Sequence, residues 1–247
     1  ACDSDKDEDH EDATKKALKV LDDAGADIIE LGVPYSDPLA DGPVIQRSSE
    51  RALKKKIDLY QVLQFVKDFR KSDSITPVVL MGYANPIEVL GYAQFAILCK
   101  DAGVDGVLTV DYPPEEGRDL NNQLRKHGID SIYLLAPTSS AARMEAVGRM
   151  AGGYVYYVSL KGVTGANHLD IDSVAQRIPK IRETIRLPVG VGFGIRDANT
   201  AKSVARVSDA VVIGSRIVEE IENSSEDKIE QNLYNLLTEI REAIDEC

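Results

Sequence analysis

The sequence predicts an α/β chain and, within that class, a (β/α)8 TIM barrel whose first strand is missing or truncated in the residues given. Three observations lead there. Short apolar runs alternate with stretches of helical periodicity along the 247 residues. Most of the runs are nearly continuous in apolar side chains, as parallel strands are when helices cover the sheet. Chemically loaded residues follow several different strands, which favours a barrel over a doubly wound sheet.

Strands are expected at 27–33, 77–82, 106–110, 131–136, 153–159, 188–193 and 209–214. These are seven; an eighth is expected to have ended at Ala1-Cys2-Asp3. Helical stripes lie between them: Ala17, Val20, Leu21 and Ala24, then Leu59, Val62, Leu63 and Val66, then Val174, Ile178, Ile181 and Ile185. A last helix uses Ile229, Leu233, Leu236, Leu237, Ile240 and Ile244. Each offers one apolar face to a sheet. Asp23-Ala-Gly-Ala-Asp27 and Asp101-Ala-Gly-Val-Asp105 repeat between a helix and a strand, with glycine placed to end the helix in a left-handed turn. Arg206-Val-Ser-Asp209 takes the same place before the last strand without glycine. No linker rich in Pro, Gly or Ser divides the chain, so residues 1–247 are read as a single domain. The acidic residues within 1–12 are expected to form a solvated, mobile segment.

Composition excludes several classes. Apolar residues make up 43%, enough for a substantial core. A net charge of −12 argues against nucleic-acid binding, which needs a basic surface, but leaves a small anionic substrate open. Cys2, Cys99 and Cys247 are odd in number and form no CxxC, so a reducing, cytoplasmic setting is expected rather than a disulfide framework. His10, His127 and His168 have no metal-ligand spacing, and no metal is expected. No apolar run approaches the roughly 18 residues of a membrane helix, and the acidic opening is unlike a signal peptide. The chain opens on Ala1 rather than Met, so the full gene product is expected to be longer.

Glu30 is the most informative residue. It interrupts the apolar strand Ile28-Ile-Glu-Leu-Gly-Val33. Burial there disfavours the charged carboxylate and raises its pKa, which suits proton transfer near neutral pH. A structural ion pair is the other reading, and strand context alone leaves both open. The loop that follows, Pro34-Tyr-Ser-Asp-Pro-Leu-Ala-Asp-Gly-Pro43, carries Asp37 and Asp41 on a backbone stiffened by prolines. For Asp37, ordinary turn chemistry suffices. Gly165, Gly194, Gly214 and Ser215 follow the last three strands, where backbone N–H groups can approach an anion; Gly214-Ser215 also opens a helix.

These residues belong to longer blocks. The run from Asp23 through Leu31-Gly-Val-Pro-Tyr-Ser-Asp-Pro-Leu-Ala-Asp-Gly-Pro-Val-Ile-Gln46 resembles the signature of the tryptophan synthase alpha subunit. The likeness continues through Leu80-Met-Gly-Tyr-Ala-Asn-Pro86, Asp111-Tyr-Pro-Pro-Glu-Glu116, Ser159-Leu-Lys-Gly-Val-Thr-Gly165, Gly192-Phe-Gly-Ile195 and Ile213-Gly-Ser215. It implies retro-aldol cleavage of indole-3-glycerol phosphate to indole and glyceraldehyde 3-phosphate. Glu30 would be the general acid/base and Asp41 would accept from the indole N–H. Gly165, Gly194, Gly214 and Ser215 would hold the phosphate. Tyr83, Leu108 and Phe193 would wall the indole pocket, Tyr156 would pack beside the catalytic Glu, and Thr164 would lie in a closing loop. Any of the pocket residues could also be plain barrel core. The resemblance implies no cofactor in this chain and a pyridoxal-phosphate beta subunit as partner, with no nucleic acid or membrane. The amino end departs from the pattern, with Cys2 where the family has glycine in a Gly-Asp-Pro turn. Three further readings stand beside this one: a stand-alone indole-3-glycerol-phosphate lyase, a Schiff-base aldolase using Lys161, and a non-catalytic regulatory subunit.

Overall fold

In the computed structural model, residues 8–159, 171–192 and 194–247 are described, from residue 13 onward with their side chains. The first half runs α1 (Glu8–Asp23), β1 (Ile29–Gly32), α2 (Pro43–Lys54), α3 (Leu59–Phe69), β2 (Val78–Gly82), α4 (Ala84–Leu90), α5 (Tyr92–Ala102), β3 (Gly106–Thr109) and α6 (Arg118–Lys126). The second runs β4 (Asp130–Leu135), α7 (Ala141–Met150), β5 (Val155–Val158), α8 (Ile171–Thr184), β6 (Val189–Gly192), α9 (Ala198–Ala205), β7 (Ala210–Val212), α10 (Ser215–Asn223) and α11 (Ile229–Asp245). Each strand pairs in parallel with the next, in the order β1 to β7. The chain thus forms a curled seven-stranded sheet of the α/β-barrel kind. Residues 1–3, where an eighth strand was expected to end, lie outside the described residues.

One expectation changes at the amino end. The acidic segment is helical from Glu8 onward instead of forming a loop through Asp12. Acidic residues in a first helical turn are favoured by the helix dipole, and the helix is then held by its apolar face. Ala17, Leu18 and Val20 are buried against neighbouring elements.

Strand alternation sorts the core into layers. Outward residues of β1 to β3, such as Ile29, Val78, Leu80 and Val107, pack with Leu63, Val66, Phe95 and Leu124 of the covering helices. Outward residues of β4 to β6, such as Leu135, Val155, Tyr157, Val189 and Val191, pack with Val147, Val174, Ile178 and Ile181. Inward residues form a third cluster in the barrel lumen: Val79, Leu108, Ile132, Tyr154 and Tyr156. Most expected strands are shorter by a residue or two at one or both ends, because the apolar pattern outlasts the hydrogen-bonded ladder.

The ends opposite the substrate loops are clamped by the repeated aspartates. Gly25 and Gly103 take the left-handed backbone, each at φ 86°, that their place after a helix demands. Asp105 accepts from the Val78 N–H at 2.8 Å and from Arg70 Nη2 at 2.6 Å. Asp209 accepts from the Val189 N–H at 2.9 Å and from Arg182 Nη2 at 2.7 Å. Asp27 receives Arg241 Nη1 at 2.7 Å. In the first two cases one carboxylate holds the N–H just inside a neighbouring strand.

Two glycines open the lumen for two large rings. A Cβ on Gly190 would stand 3.3 Å from Val212 Cγ2 and 3.5 Å from the Tyr154 ring. A Cβ on Gly192 would run into the Tyr156 hydroxyl and its ring. Gly192→Ala should therefore overpack the lumen and destabilise the fold by about 1–3 kcal/mol. Urea unfolding would read this as a lower midpoint at unchanged slope. An unchanged midpoint would mean the ring moves aside freely.

Candidate active site

Glu30 is the second residue of β1, and Ile29, its neighbour, points out into the helical layer. Alternation then turns the Glu30 side chain into the lumen. Its register partner is Val79, a member of the lumen cluster. There the Tyr154 hydroxyl donates to Glu30 Oε1, a bond between residues 124 apart in sequence. Burial pushes the Glu30 carboxyl above its ordinary 4.5, and the Tyr154 hydrogen bond offsets part of that rise. Desolvation also pushes the Tyr154 and Tyr156 phenols up, with the charge on Glu30 adding to it. Among the described residues, its recorded side-chain partner is a neutral donor. This environment is the kind an acid/base group needs.

Tyr154 is the residue that sequence reasoning missed. Tyr156, assigned there as the neighbour of the acid, also feels the Glu30 charge, but the hydrogen bond belongs to Tyr154. The omission of Tyr154 has a simple cause. Tyr154 and Tyr156 are two residues apart and face the same side of the strand path, so alternation marks both and cannot choose between them. Both rings lie against β6 glycines, Tyr154 at Gly190 and Tyr156 at Gly192, and it is the Tyr154 hydroxyl that reaches Glu30.

Asp41 ends the loop that leaves β1, directly before the Gly42 cap of α2. The Tyr83 hydroxyl donates to Asp41 Oδ2 at 3.1 Å and accepts from the Ala40 N–H at 3.0 Å. The Tyr83 ring stacks on Tyr35, with centroids 5.1 Å apart. Gln46 Nε2, one turn into α2, donates to the Asp41 backbone carbonyl at 2.9 Å and reaches the Pro38 carbonyl at 3.4 Å. The loop is therefore tied down from both sides. Partial burial raises the Asp41 pKa above 3.8, and the Tyr83 bond offsets part of it. Tyr83 itself is pushed up to about 12, mainly by burial. Tyr35 and Gln46 also went unassigned in the sequence reading, although both lie inside the signature block. Asp37 is exposed, and its nearest recorded partner is the adjacent Ser36 hydroxyl at 2.8 Å, in line with a turn role.

The other expected residues divide. Leu108 is fully buried in the lumen cluster with Val79 and Ile132. Gly192 and Val212 are register partners on β6 and β7. Gly194 and Gly214 each follow two residues later, so both leave the same end of adjacent strands. Gly194 has φ 77°, in the left-handed region. Gly214 caps α10 and Ser215 is its first residue; both are exposed, and no atom lies within 4 Å of a Cβ placed on Gly214. Open N–H groups at a helix start offer a site for an anion. Thr164, Gly165, Phe193 and the rival Lys161 lie outside the described residues. Among the described residues, no cluster of three or more His, Cys, Asp or Glu could hold a metal ion.

The raised Glu30 pKa makes a statement about stability. Below pH 4.5 the carboxyl is protonated in folded and unfolded chains alike. Above that value the unfolded chain ionises first, and folding stability falls until the pH passes the raised folded value. Glu30→Gln removes this loss. Its stability relative to wild type should therefore rise as the pH climbs above 4.5, as measured by urea midpoints. A difference that does not change with pH would show that the carboxyl is solvated.

Comparison with known proteins agrees with this geometry. Residues 4–245 match the family described as tryptophan synthase alpha chain. The tryptophan synthase alpha chain of Burkholderia pseudomallei is 60% identical over 232 residues, covering 94% of this chain and 86% of its own length. The crystal structure of tryptophan synthase subunit alpha from Legionella pneumophila superposes with a TM-score of 0.88 at 42% identity, covering 96% of this chain and 88% of that one. A chain from a structure of the tryptophan synthase a2b2 complex of Pyrococcus furiosus superposes at 0.85 with 35% identity, covering 94% and 93%. A buried acid on the first described strand, a tethered aspartate beside it and an open helix start at the last strand thus occur in a chain that belongs to the tryptophan synthase alpha chain family.

Proposed function

We propose that this chain cleaves indole-3-glycerol phosphate to indole and glyceraldehyde 3-phosphate, with Glu30 moving the proton and Asp41 holding the indole nitrogen. The family makes it a lyase of tryptophan biosynthesis. The observation that carries the residue roles is the Glu30 carboxyl, buried in the lumen on a tyrosine hydroxyl with its pKa raised.

The reaction moves one proton. The bond between indole C3 and the first side-chain carbon breaks. C3 gains a proton, and the hydroxyl on that side-chain carbon loses one as it becomes the aldehyde. No electron leaves or enters the substrate, so no redox group or electron sink is required of this chain. A single carboxyl near neutral pH can accept the hydroxyl proton and return a proton to carbon, which asks for a pKa well above an exposed glutamate's. Protonation at C3 places positive charge on the ring nitrogen. A carboxylate at Asp41, held by Tyr83 and Gln46, stabilises that charge without having to reorganise. Gly194, Gly214 and Ser215 supply backbone donors for the phosphate, which fixes the substrate's far end.

The indole released would pass to a pyridoxal-phosphate beta subunit in an a2b2-type complex. Leu39, in the Asp41 loop, is 93% exposed, and Val89 of α4 is 83% exposed, at the end of the barrel where the strands finish. Apolar side chains so placed fit a protein partner better than solvent. A cytoplasmic setting follows from the same reading.

Indole release by wild type, Glu30→Gln and Asp41→Asn, each with and without a beta subunit, tests the proposal. Both variants should lose about 10²-fold or more in kcat with the fold retained. Wild-type turnover in Glu30→Gln would remove the acid/base role. Turnover that never responds to a beta subunit would favour a stand-alone lyase. A second test uses Tyr154→Phe. Loss of the hydroxyl removes the one contact that lowers the Glu30 pKa, so the limb of the pH–kcat/KM profile set by Glu30 should move to higher pH. An unmoved limb would assign that ionisation to another group.

A further inference from the structure

The rung that closes the β5–β6 ladder differs from its counterparts in the same sheet. The last paired residues there are Val158 and Gly192. One residue on, the Ser159 N–H donates to the Gly192 carbonyl at 3.2 Å. The matching rungs between β1 and β2 and between β2 and β3 are tighter. The Val33 N–H meets the Met81 carbonyl at 2.8 Å, and the Val110 N–H meets the Gly82 carbonyl at 2.9 Å. After β5 a side chain adds to the backbone bond. Ser159 Oγ donates to the same Gly192 carbonyl at 2.8 Å. A carbonyl oxygen has two lone pairs and can accept both donors.

The residue type at this place is informative. Val33 and Val110, which hold the equivalent positions, are the β-branched residues that a strand end favours. Ser159 gives up that packing for a hydroxyl, in a strand of Val155-Tyr-Tyr-Val158. It is 5% exposed, and a hydroxyl so buried is costly unless bonded. Its contribution therefore lies in what it holds. Alternation from Val155 and Tyr157, both in the outer layer, puts Ser159 on the side away from the lumen. It acts on backbone and does not face the substrate.

What it holds is the peptide unit that leads out of β6. Gly192 has no side chain by which to be fixed. The peptide is planar, so two donors on its oxygen set its plane and the direction in which the chain leaves the strand. Two residues on, Gly194 takes φ 77°, a conformation that glycine adopts at little cost. Ile195 follows, buried in the outer core. Gly194 is thus strung between two fixed points, the Gly192 carbonyl and the Ile195 side chain. We propose that Ser159 is a positioning residue for the phosphate end of the site, its hydroxyl aiming the turn at Gly194 through the Gly192 carbonyl. This rests on the functional reading above, which puts the substrate phosphate at that turn. A ligand that carries a phosphate should feel the loss of the hydroxyl, and a ligand without one should not.

The test compares wild type with Ser159→Ala, which removes the hydroxyl, and Ser159→Thr, which keeps it. Glycerol 3-phosphate is the phosphate-bearing probe and indole the phosphate-free one, each titrated into the full chain. Ser159→Ala should weaken glycerol 3-phosphate about two- to tenfold, the range of one hydrogen bond. Indole affinity should stay within about twofold, as expected of a site that the hydroxyl does not reach. KM for indole-3-glycerol phosphate should rise with little change in kcat. Ser159→Thr should return most of the glycerol 3-phosphate affinity. Should Ser159→Ala unfold too readily to titrate, Ser159→Cys carries the same comparison, since a thiol fills the space and is a weak donor. Equal weakening of both probes, or undiminished glycerol 3-phosphate affinity in the variants that lack the hydroxyl, would overturn the positioning role. A wild-type chain that binds glycerol 3-phosphate but releases no indole, with or without a beta subunit, would overturn the functional reading and leave the Ser159 comparison readable.

Discussion

The carboxyl of Glu30, turned into a dry lumen and held by one neutral hydroxyl, is what the rest of the site is arranged around. An isolated carboxylate in such surroundings is costly, and it keeps its proton to a higher pH instead. In the proposed reaction that response is what fits the carboxyl to carry a proton. It depends on lumen packing more than on any local motif. Gly190 and Gly192 remove two side chains from β6, Tyr154 and Tyr156 fill the space, and the Tyr154 hydroxyl then reaches β1.

Asp41 is held by a different strategy. Its loop has few buried apolar side chains, and Leu39 within it faces solvent. Hydrogen bonds replace packing: Tyr83 from the end of β2, with its ring against Tyr35, and Gln46 from α2. A half-buried carboxylate with one phenol donor remains able to accept from a second, incoming N–H. The helix start at Gly214 and Ser215 completes the set by leaving backbone donors open. The three parts thus differ in how they are fixed: by packing, by side-chain hydrogen bonds, and by backbone geometry.

The two ends of the barrel divide the work. At the end where strands begin, Asp27, Asp105 and Asp209 pair with Arg241, Arg70 and Arg182. Asp105 and Asp209 also hold strand N–H groups. These charges are satisfied, and their role is to set where strands start. At the end where strands finish, polar groups are left with unused capacity, and the loops are longer and more open. Conserving stability at one end and chemistry at the other is the usual economy of a barrel.

Much of this was legible in the chain itself, because it depends on short-range rules. Nearly continuous apolar runs gave the parallel strands, helical stripes gave their covers, and the two Asp-Ala-Gly-x-Asp blocks gave the left-handed turns at Gly25 and Gly103. A lone acid in an apolar strand singled out Glu30, though that context alone left a structural ion pair open. Local pattern could also mislead: the acidic stretch before residue 13 looked like loop but is helix from Glu8, since a helix start tolerates negative charge. What only the tertiary structure decided are contacts between distant positions. Tyr154 and Glu30 are separated by 124 residues, and Ser159 and Gly192 by 33. Which inward side chain meets which depends on the curl and stagger of the whole sheet and on the space left by glycines on a third strand. A periodicity of two or of 3.6 residues carries no information about those.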